Sequence, residues 1–499
     1  MRVIVSILSK EYQRNIIDSG ALDELAQSHQ IDFVTPVGLH LDLPPHFGNC
    51  KVYHFTRNAE NELRANFQFE VNARNKRHLS SSFKYRSVRK YSNLRLFLIR
   101  QLGFEYEFVD IDLHTILKNR KNLLVMTKKI HKLLNRRFLT EVYYFSKNKV
   151  RQFWVYIIGS RLLFPIFTQF FENQNIINEE LVTIIPWQEY SFIVHISSAH
   201  EKTGSDLVKL AKQNSIPIVF VIDNWDNLSS KTVLSELPDF LIVWGEQTRR
   251  HAIEIQGLDP TKVFSLGSAR FQEYFTARNI DLMSHFNHSY ALFAGTFLPF
   301  DEISNLKLID NEIETNKVIY GDLKIVYRPH PSNQSNHTAE FFENDFQNII
   351  IDPQIAEYNK APSNISEGNV NLLKLDYYPS LIKNSEFIVG GLTSMLIEAT
   401  VFSKAYLALV YREPLSVTSP RRVWREYVHF RQVSSLPNVV LIHEQQNLVK
   451  DFRQSYLSRH SLSSADIDAS LNYFLEINEI ETFGSRFRRR LELLEWKNP

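Results

Sequence analysis

The sequence predicts an α/β protein of two Rossmann-like domains facing a cleft, with a helical basic insert in the amino-terminal domain. Two observations carry this prediction. Short apolar runs alternate with helix-length polar or amphipathic pieces, the pattern of a parallel, doubly wound sheet. A chain of 499 residues is also too long for one ordinary core, so two domains of roughly 200 residues each follow.

The elements follow in order. Strands are expected at 3–8, 31–34, 192–196, 218–222, 240–244 and 263–266, then again at 290–294, 324–327, 349–351, 387–389, 406–410 and 439–442. The junction falls in the polar stretch 276–288, giving domains over 1–280 and 281–480. Beyond them, Phe487, Leu491, Leu493 and Leu494 recur at helical spacing around Arg488-Arg489-Arg490, which predicts a closing helix over 481–499 packed against the body. The insert occupies about 72–173.

Composition narrows the class. A hydrophobic fraction of 44% and a charged fraction of 22% are those of a soluble globular protein. The single cysteine, Cys50, excludes an intramolecular disulfide and points to a reducing compartment. Without Cys-X-X-Cys or His-Glu-X-X-His spacing, no metal site is expected. Residues Met1 to Leu8 read as a buried strand, not a signal peptide, so a cytoplasmic location is expected.

The net charge of +2 hides a lopsided distribution. From Arg74 to Arg151 there are 20 Lys or Arg against 5 Asp or Glu, interleaved with aromatics and leucines. Apolar runs follow at 153–158 and 162–167, interrupted by Arg161 and Pro165, which argues against a membrane-spanning helix. A helix lying in the interface of an anionic membrane fits this region, 74–172, as do core helices with a solvated charged face. No nucleic-acid partner is expected.

Four segments carry candidate chemistry. At the first, the strand 192–196 runs into polar residues where His200 or Glu201 is placed to act as a base, or simply to cap the following helix. At the second, the strand 218–222 delivers Asp223, Asn224, Trp225, Asp226, Asn227, Ser229, Ser230 and Lys231 within ten positions. Amides and carboxylates grip sugar hydroxyls and an indole stacks on a pyranose face, so Trp225, Asn227, Ser230 and Lys231 are candidate substrate contacts.

The third segment is Tyr327-Arg328-Pro329-His330-Pro331, where two prolines fix the backbone on both sides of His330. His330 can bond or protonate a leaving diphosphate, and Arg328 offers a fork suited to phosphate. In the fourth, Gly390-Gly391-Leu392-Thr393-Ser394 opens a helix whose Glu398 lies one turn past Ser394. Backbone N–H groups and the Thr393 and Ser394 hydroxyls suit a phosphate, and Glu398 suits ribose hydroxyls. Gly295 and Thr296, after the strand 290–294, join this donor-binding set.

The order of Trp225-Asp226-Asn227 with Ser229-Ser230-Lys231, Val243-Trp244-Gly245-Glu246, a Gly-Ser-X-Arg-Phe run ending at Phe271, Arg328-Pro329-His330-Pro331, and Thr393-Ser394 with Glu398-Ala399 resembles bacterial GT-B glycosyltransferases that build surface polysaccharides. The nearest groups are the CDP-glycerol glycerophosphotransferases (teichoic acid polymerases) and the capsule polysialyltransferases. The resemblance covers roughly residues 190–410 and implies that His330, Thr393 and Ser394 contact the donor's phosphate. It also implies an acidic base in the amino-terminal domain. The Asp/Glu-Asp/Glu-Gly triplet of the polysialyltransferases is missing, so neither their base nor a CMP-sialic acid donor carries over.

The expectation is an inverting, metal-independent transferase. It moves a sugar or polyol phosphate from a nucleotide-activated donor, with no further cofactor, to a growing surface glycan or lipid-linked acceptor. It works in the cytoplasm, peripheral to the inner face of the membrane, with Asp226 the first choice of base and Glu201 and His200 behind it. The alternatives are a nucleotide-sugar epimerase of the same fold and a non-catalytic membrane-docked assembly protein.

Overall fold

The structure, a computed structural model, describes residues 1–84, 150–173, 177–197, 202–296, 301–330, 341–354, 376–412, 419–459 and 464–494. Its strands are β1 (Arg2–Ser6), β2 (Gln30–Pro36), β3 (Val52–Phe55), β4 (Phe192–Ser197), β5 (Ile218–Ile222), β6 (Phe240–Val243) and β7 (Val263–Ser265) in one sheet. A second sheet holds β8 (Tyr290–Ala294), β9 (Lys324–Arg328), β10 (Ile349–Ile351), β11 (Ile388–Gly390), β12 (Tyr406–Leu409) and β13 (Val439–Ile442). Every pairing is parallel. The central strands are apolar throughout because helices cover both faces.

Strand order decides where ligands have room. The first sheet runs β3-β2-β1-β4-β5-β6-β7 and the second β10-β9-β8-β11-β12-β13. In each the order reverses once, between β1 and β4 and between β8 and β11. At such a switch point the connecting loops diverge to opposite faces and leave a crevice beyond the carboxyl ends of the strands. Arg270, which follows β7, bonds Glu398 on the helix that follows β11, so the carboxyl ends of the two sheets face each other. This is the GT-B arrangement.

Aromatic packing joins the domains. Trp225, Trp244, Phe271 and Tyr274 of the first share one core with Leu396, Phe430 and Phe474 of the second. Main-chain bonds reinforce it: Gln247 N donates to Tyr473 O at 2.9 Å and Glu476 N to Trp244 O at 2.7 Å. The chain then returns to the first domain as the helix Phe483–Leu493, which buries Phe483, Phe487, Leu491 and the following Leu494 in that domain's core. Leu493, expected on the packed face, is exposed instead.

Twelve of the thirteen strands fall where the apolar runs place them, and β3 was not anticipated. It is a four-residue edge strand whose His54 is exposed, so it lacks the continuous apolar run of its neighbours. The helix that follows β4 spans Lys202–Asn214. Of the basic insert, 85–149 lies outside the described residues; its last part forms a helix at 150–158 and the helix Phe164–Asn173. No helix among the described residues is long and apolar enough to cross a membrane.

Candidate active site in the interdomain cleft

The carboxy-terminal half of the site is built on backbone proximity. Gly295, just past β8, donates its N–H to Arg328 O at 2.8 Å, which draws the ends of β8 and β9 together. A Cβ at Gly295 would stand 2.8 Å from His330 N and Pro329 Cα. Across the switch point a Cβ at Gly391 would overlap the Thr296 methyl. Only glycine permits these approaches, and they bring Gly295, Thr296, His330 and Gly391 to one place. Tyr406 Oη donates to Gly391 O at 2.7 Å and fixes the turn, while Thr296 N donates to Glu302 Oε1 at 2.8 Å.

The turn leads to Thr393 and Ser394, both partly exposed, at the start of the helix Met395–Val401. Thr393 Oγ1 accepts from Met395 N at 3.3 Å, and the Ser394 side chain makes no capping bond. A hydroxyl with no capping duty at a helix start is suited to an anion.

Two residues predicted for the donor are engaged elsewhere. Arg328 is buried; its guanidinium pairs with Asp352 and donates from Nε to Tyr378 Oη at 3.1 Å, with the Tyr378 ring 4.5 Å away. Asp352 in turn accepts from Tyr377 Oη at 2.6 Å. The Arg328 fork therefore braces β9 and offers no free edge to phosphate. Glu398 accepts from Arg270 Nη2 at 3.0 Å and from Tyr274 Oη at 3.1 Å, so its carboxylate ties the domains together in place of ribose.

The amino-terminal half departs further from expectation. Trp225 is 2% exposed and sits edge-on to His429, Phe430 and Phe474 at ring distances of 5.2, 5.5 and 6.0 Å, which leaves no face for a sugar. Asn227 is fully buried, its Nδ2 donating to Ser197 O at 3.3 Å. Ser230 Oγ donates to Asp226 O at 2.8 Å, and Lys231 Nζ pairs with Asp226 at 3.1 Å. Burial pushes the Asp226 carboxyl up, but Lys231 and His429 outweigh it and hold the pKa below its usual range. An ion-paired carboxylate of lowered basicity is a poor proton acceptor. His200 and Glu201 lie outside the described residues.

Sequence reasoning passed over the better carboxylate three residues earlier. Asp223 directly follows β5 and is buried, with Oδ1 accepting from Asn15 Nδ2 at 2.9 Å. Burial first, then the negative charge of Glu11, raises its pKa to about 6, against the opposing pull of Asn15, Arg270 and Arg14. Glu11, Arg14 and Asn15 come from the segment after β1, at the switch point of the first sheet. Beside Asp223, the buried Asn224 Oδ1 has no hydrogen-bond partner among the described residues, an acceptor that a substrate hydroxyl would satisfy. A buried carboxylate of raised pKa, within electrostatic reach of the Arg270 that bridges to the other domain, is equipped to take a proton near neutral pH.

No protein-family model matches the chain, and no curated protein matches its sequence. Among solved structures, the UDP-GlcNAc 2-epimerase from Methanocaldococcus jannaschii is similar over 99% of both chains at 12% identity, with a TM-score of 0.44. MurG from Acinetobacter baumannii is similar over 98% of this chain and 99% of its own at 7% identity and 0.40. The wall teichoic acid polymerase TagF covers 61% of this chain and 74% of its own at 14% identity and 0.37. At such identities and scores none of them transfers a residue or a reaction to this chain; the architecture rests on the strand order.

Proposed function

We propose that the protein is a nucleotide-sugar-dependent glycosyltransferase of the inverting, metal-independent kind. The carboxy-terminal domain holds the donor and the amino-terminal domain holds the acceptor. What supports this reading is the main-chain approach at the switch point between β8 and β11, where Gly391 lies against Thr296 and Gly295 against His330 N, with Thr393 and Ser394 next along the chain, opposite a domain that buries Asp223. This chemistry suits a diphosphate: glycine lets the main chain approach, and hydroxyls and an imidazole are available as donors.

Asp223 takes the proton of an acceptor hydroxyl while that oxygen bonds the anomeric carbon. The bond from that carbon to the diphosphate oxygen breaks, and the leaving nucleotide diphosphate gains its charge among Thr393, Ser394 and His330. Asn15 orients the base through its 2.9 Å bond. Asp223 replaces Asp226 in this role because Asp226 is held by Lys231.

The test is a donor screen with CDP-, UDP- and GDP-linked sugars, following nucleotide diphosphate release with and without EDTA. The expected result is EDTA-resistant release from one donor, abolished in Asp223→Asn and reduced in His330→Ala. Interconversion of the donor sugar with no acceptor present would replace this reading with an epimerase. Nucleotide binding without turnover, with acceptors supplied, would replace it with a non-catalytic protein.

A further inference from the structure

The two domains share an ion pair that stands next to the proposed base. Arg270, which follows β7, donates from Nη2 to Glu398 Oε1 at 3.0 Å, and Tyr274 Oη donates to the other carboxylate oxygen at 3.1 Å. Both charged side chains are nearly buried, at 13% and 9% exposure. The guanidinium also stacks on Trp244 and Phe271, 5.0 Å from each ring centre. Arg270 Nε is buried with no hydrogen-bond partner among the described residues, so Glu398 is the polar anchor that seats the cation.

Neighbouring contacts place that cation beside Asp223. Trp244, on which the guanidinium stacks, donates from Nε1 to Ile222 O at 3.1 Å, one residue before Asp223. The turn Ala269–Phe271, which carries Arg270, packs on the segment Gln13–Asp18, and from that segment Asn15 Nδ2 reaches Asp223 Oδ1 at 2.9 Å. The electrostatics agree with the geometry. Burial and then Glu11 disfavour the ionised form of Asp223, while Asn15, Arg270 and Arg14 favour it. Of these groups, Arg270 is the one bonded to the other domain, through a carboxylate one helical turn past Ser394.

We propose that Glu398 and Arg270 are a positioning pair for Asp223: the second domain's carboxylate seats the guanidinium beside Asp223 and offsets part of its charge, so domain docking sets the field around that carboxylate. The effect on rate rests on Asp223 being the base; the effect on Asp223 itself does not. Charge gives the two members opposite signs. Without Arg270, Asp223 loses a counter-charge and keeps its proton to higher pH. Without the charge of Glu398, the guanidinium acts on Asp223 with less opposition, and the proton leaves at lower pH.

The test reads Asp223 without turnover. Melting temperatures of the full chain with and without Asp223→Asn are compared from about pH 4 to 8, and the pH at which their difference is half lost marks the titration of the folded carboxyl. This is done in the wild type, Arg270→Gln, Arg270→Lys and Glu398→Gln, the last keeping an acceptor for Arg270 and Tyr274. The expected titration lies about one pH unit higher in Arg270→Gln, the effect of losing one nearby opposite charge, and lower than wild type in Glu398→Gln. Arg270→Lys, which keeps the charge, falls nearer the wild type, and the acid limb of the rate follows each shift. A titration that stays in place in Glu398→Gln, or that moves the same way in both charge-removing variants, overturns the proposal and leaves the bridge a structural tie. If Arg270→Gln fails to fold because it strands a buried carboxylate, Glu398→Gln decides alone. Should the titrations shift as expected while Asp223→Asn keeps full turnover, the pair stands and the assignment of Asp223 as base falls.

Discussion

The segments after β5 and after β11 are both rich in polar residues at the carboxyl end of a buried strand, yet the fold uses them in opposite ways. After β5, Trp225 is enclosed by rings of the other domain and Asp226 is paired with Lys231. After β11, Gly391 lies against Thr296 and leaves Thr393 and Ser394 partly exposed. Density of polar side chains therefore does not by itself mark a binding site. A crevice needs main chains brought close at a switch point and side chains without other duties. In the β5 segment the carboxylate without an ion pair among the described residues is Asp223, at its very start, where it accepts from Asn15.

Substitutions at these positions sharpen the comparison. The largest effect is expected for Asp223→Asn, which keeps an acceptor for Asn15 but removes the base; turnover should fall by about 10²–10⁴-fold. The thermal midpoint at neutral pH should hold or rise, since burial disfavours the Asp223 charge. The sign with pH follows. Because its folded pKa, about 6, lies above the unfolded value of about 3.9, ionised Asp223 opposes folding at neutral pH. That opposition is relieved as pH falls through about 6 toward 4, while the wild-type rate declines as the base is protonated. Rate and melting profiles across this range check both signs; unchanged turnover in Asp223→Asn would return the role of base to another residue.

Next comes Trp225→Ala, expected to lower stability by about 3–5 kcal/mol through a cavity at the domain interface, read by denaturant unfolding. Were the indole a sugar platform instead, stability would hold and the acceptor KM alone would rise. Gly391→Ala should follow at about 1–3 kcal/mol, since the added methyl must displace Thr296 or the turn. Calorimetric donor binding should weaken with it. The smallest effect is expected for Ser394→Ala: donor binding weaker by about 1.5 kcal/mol, the lower value for a hydrogen bond to a charged group. Its melting temperature should be unchanged, because that hydroxyl caps nothing.

Much of the scaffold was legible in the sequence. Strands such as β5 and β8 coincide with their apolar runs, because a strand buried on both faces must be apolar at every position. The glycine turn at Gly390–Gly391 was legible as a strand–turn–helix pattern, but the atoms that require glycine there, Ala294 O and the Thr296 methyl, come from the distant end of β8. The partners of charged groups were not. Arg270 and Glu398 meet from 128 residues apart, and Arg328 meets Asp352 from 24 residues away across β9 and β10. Asn15 and Glu11 went unnoticed because the strand order that puts the segment after β1 beside the end of β5 cannot be read from spacing.

By itself, then, the sequence determined the two-domain parallel architecture and the positions of the strand ends, since periodicity is a property of neighbouring residues. Tertiary structure alone decided which carboxylate is buried at raised pKa and which is neutralised, and which cation is bound to its own domain. A charge acts through whatever stands within a few ångströms of it in space, and folding chooses those neighbours from anywhere in the chain.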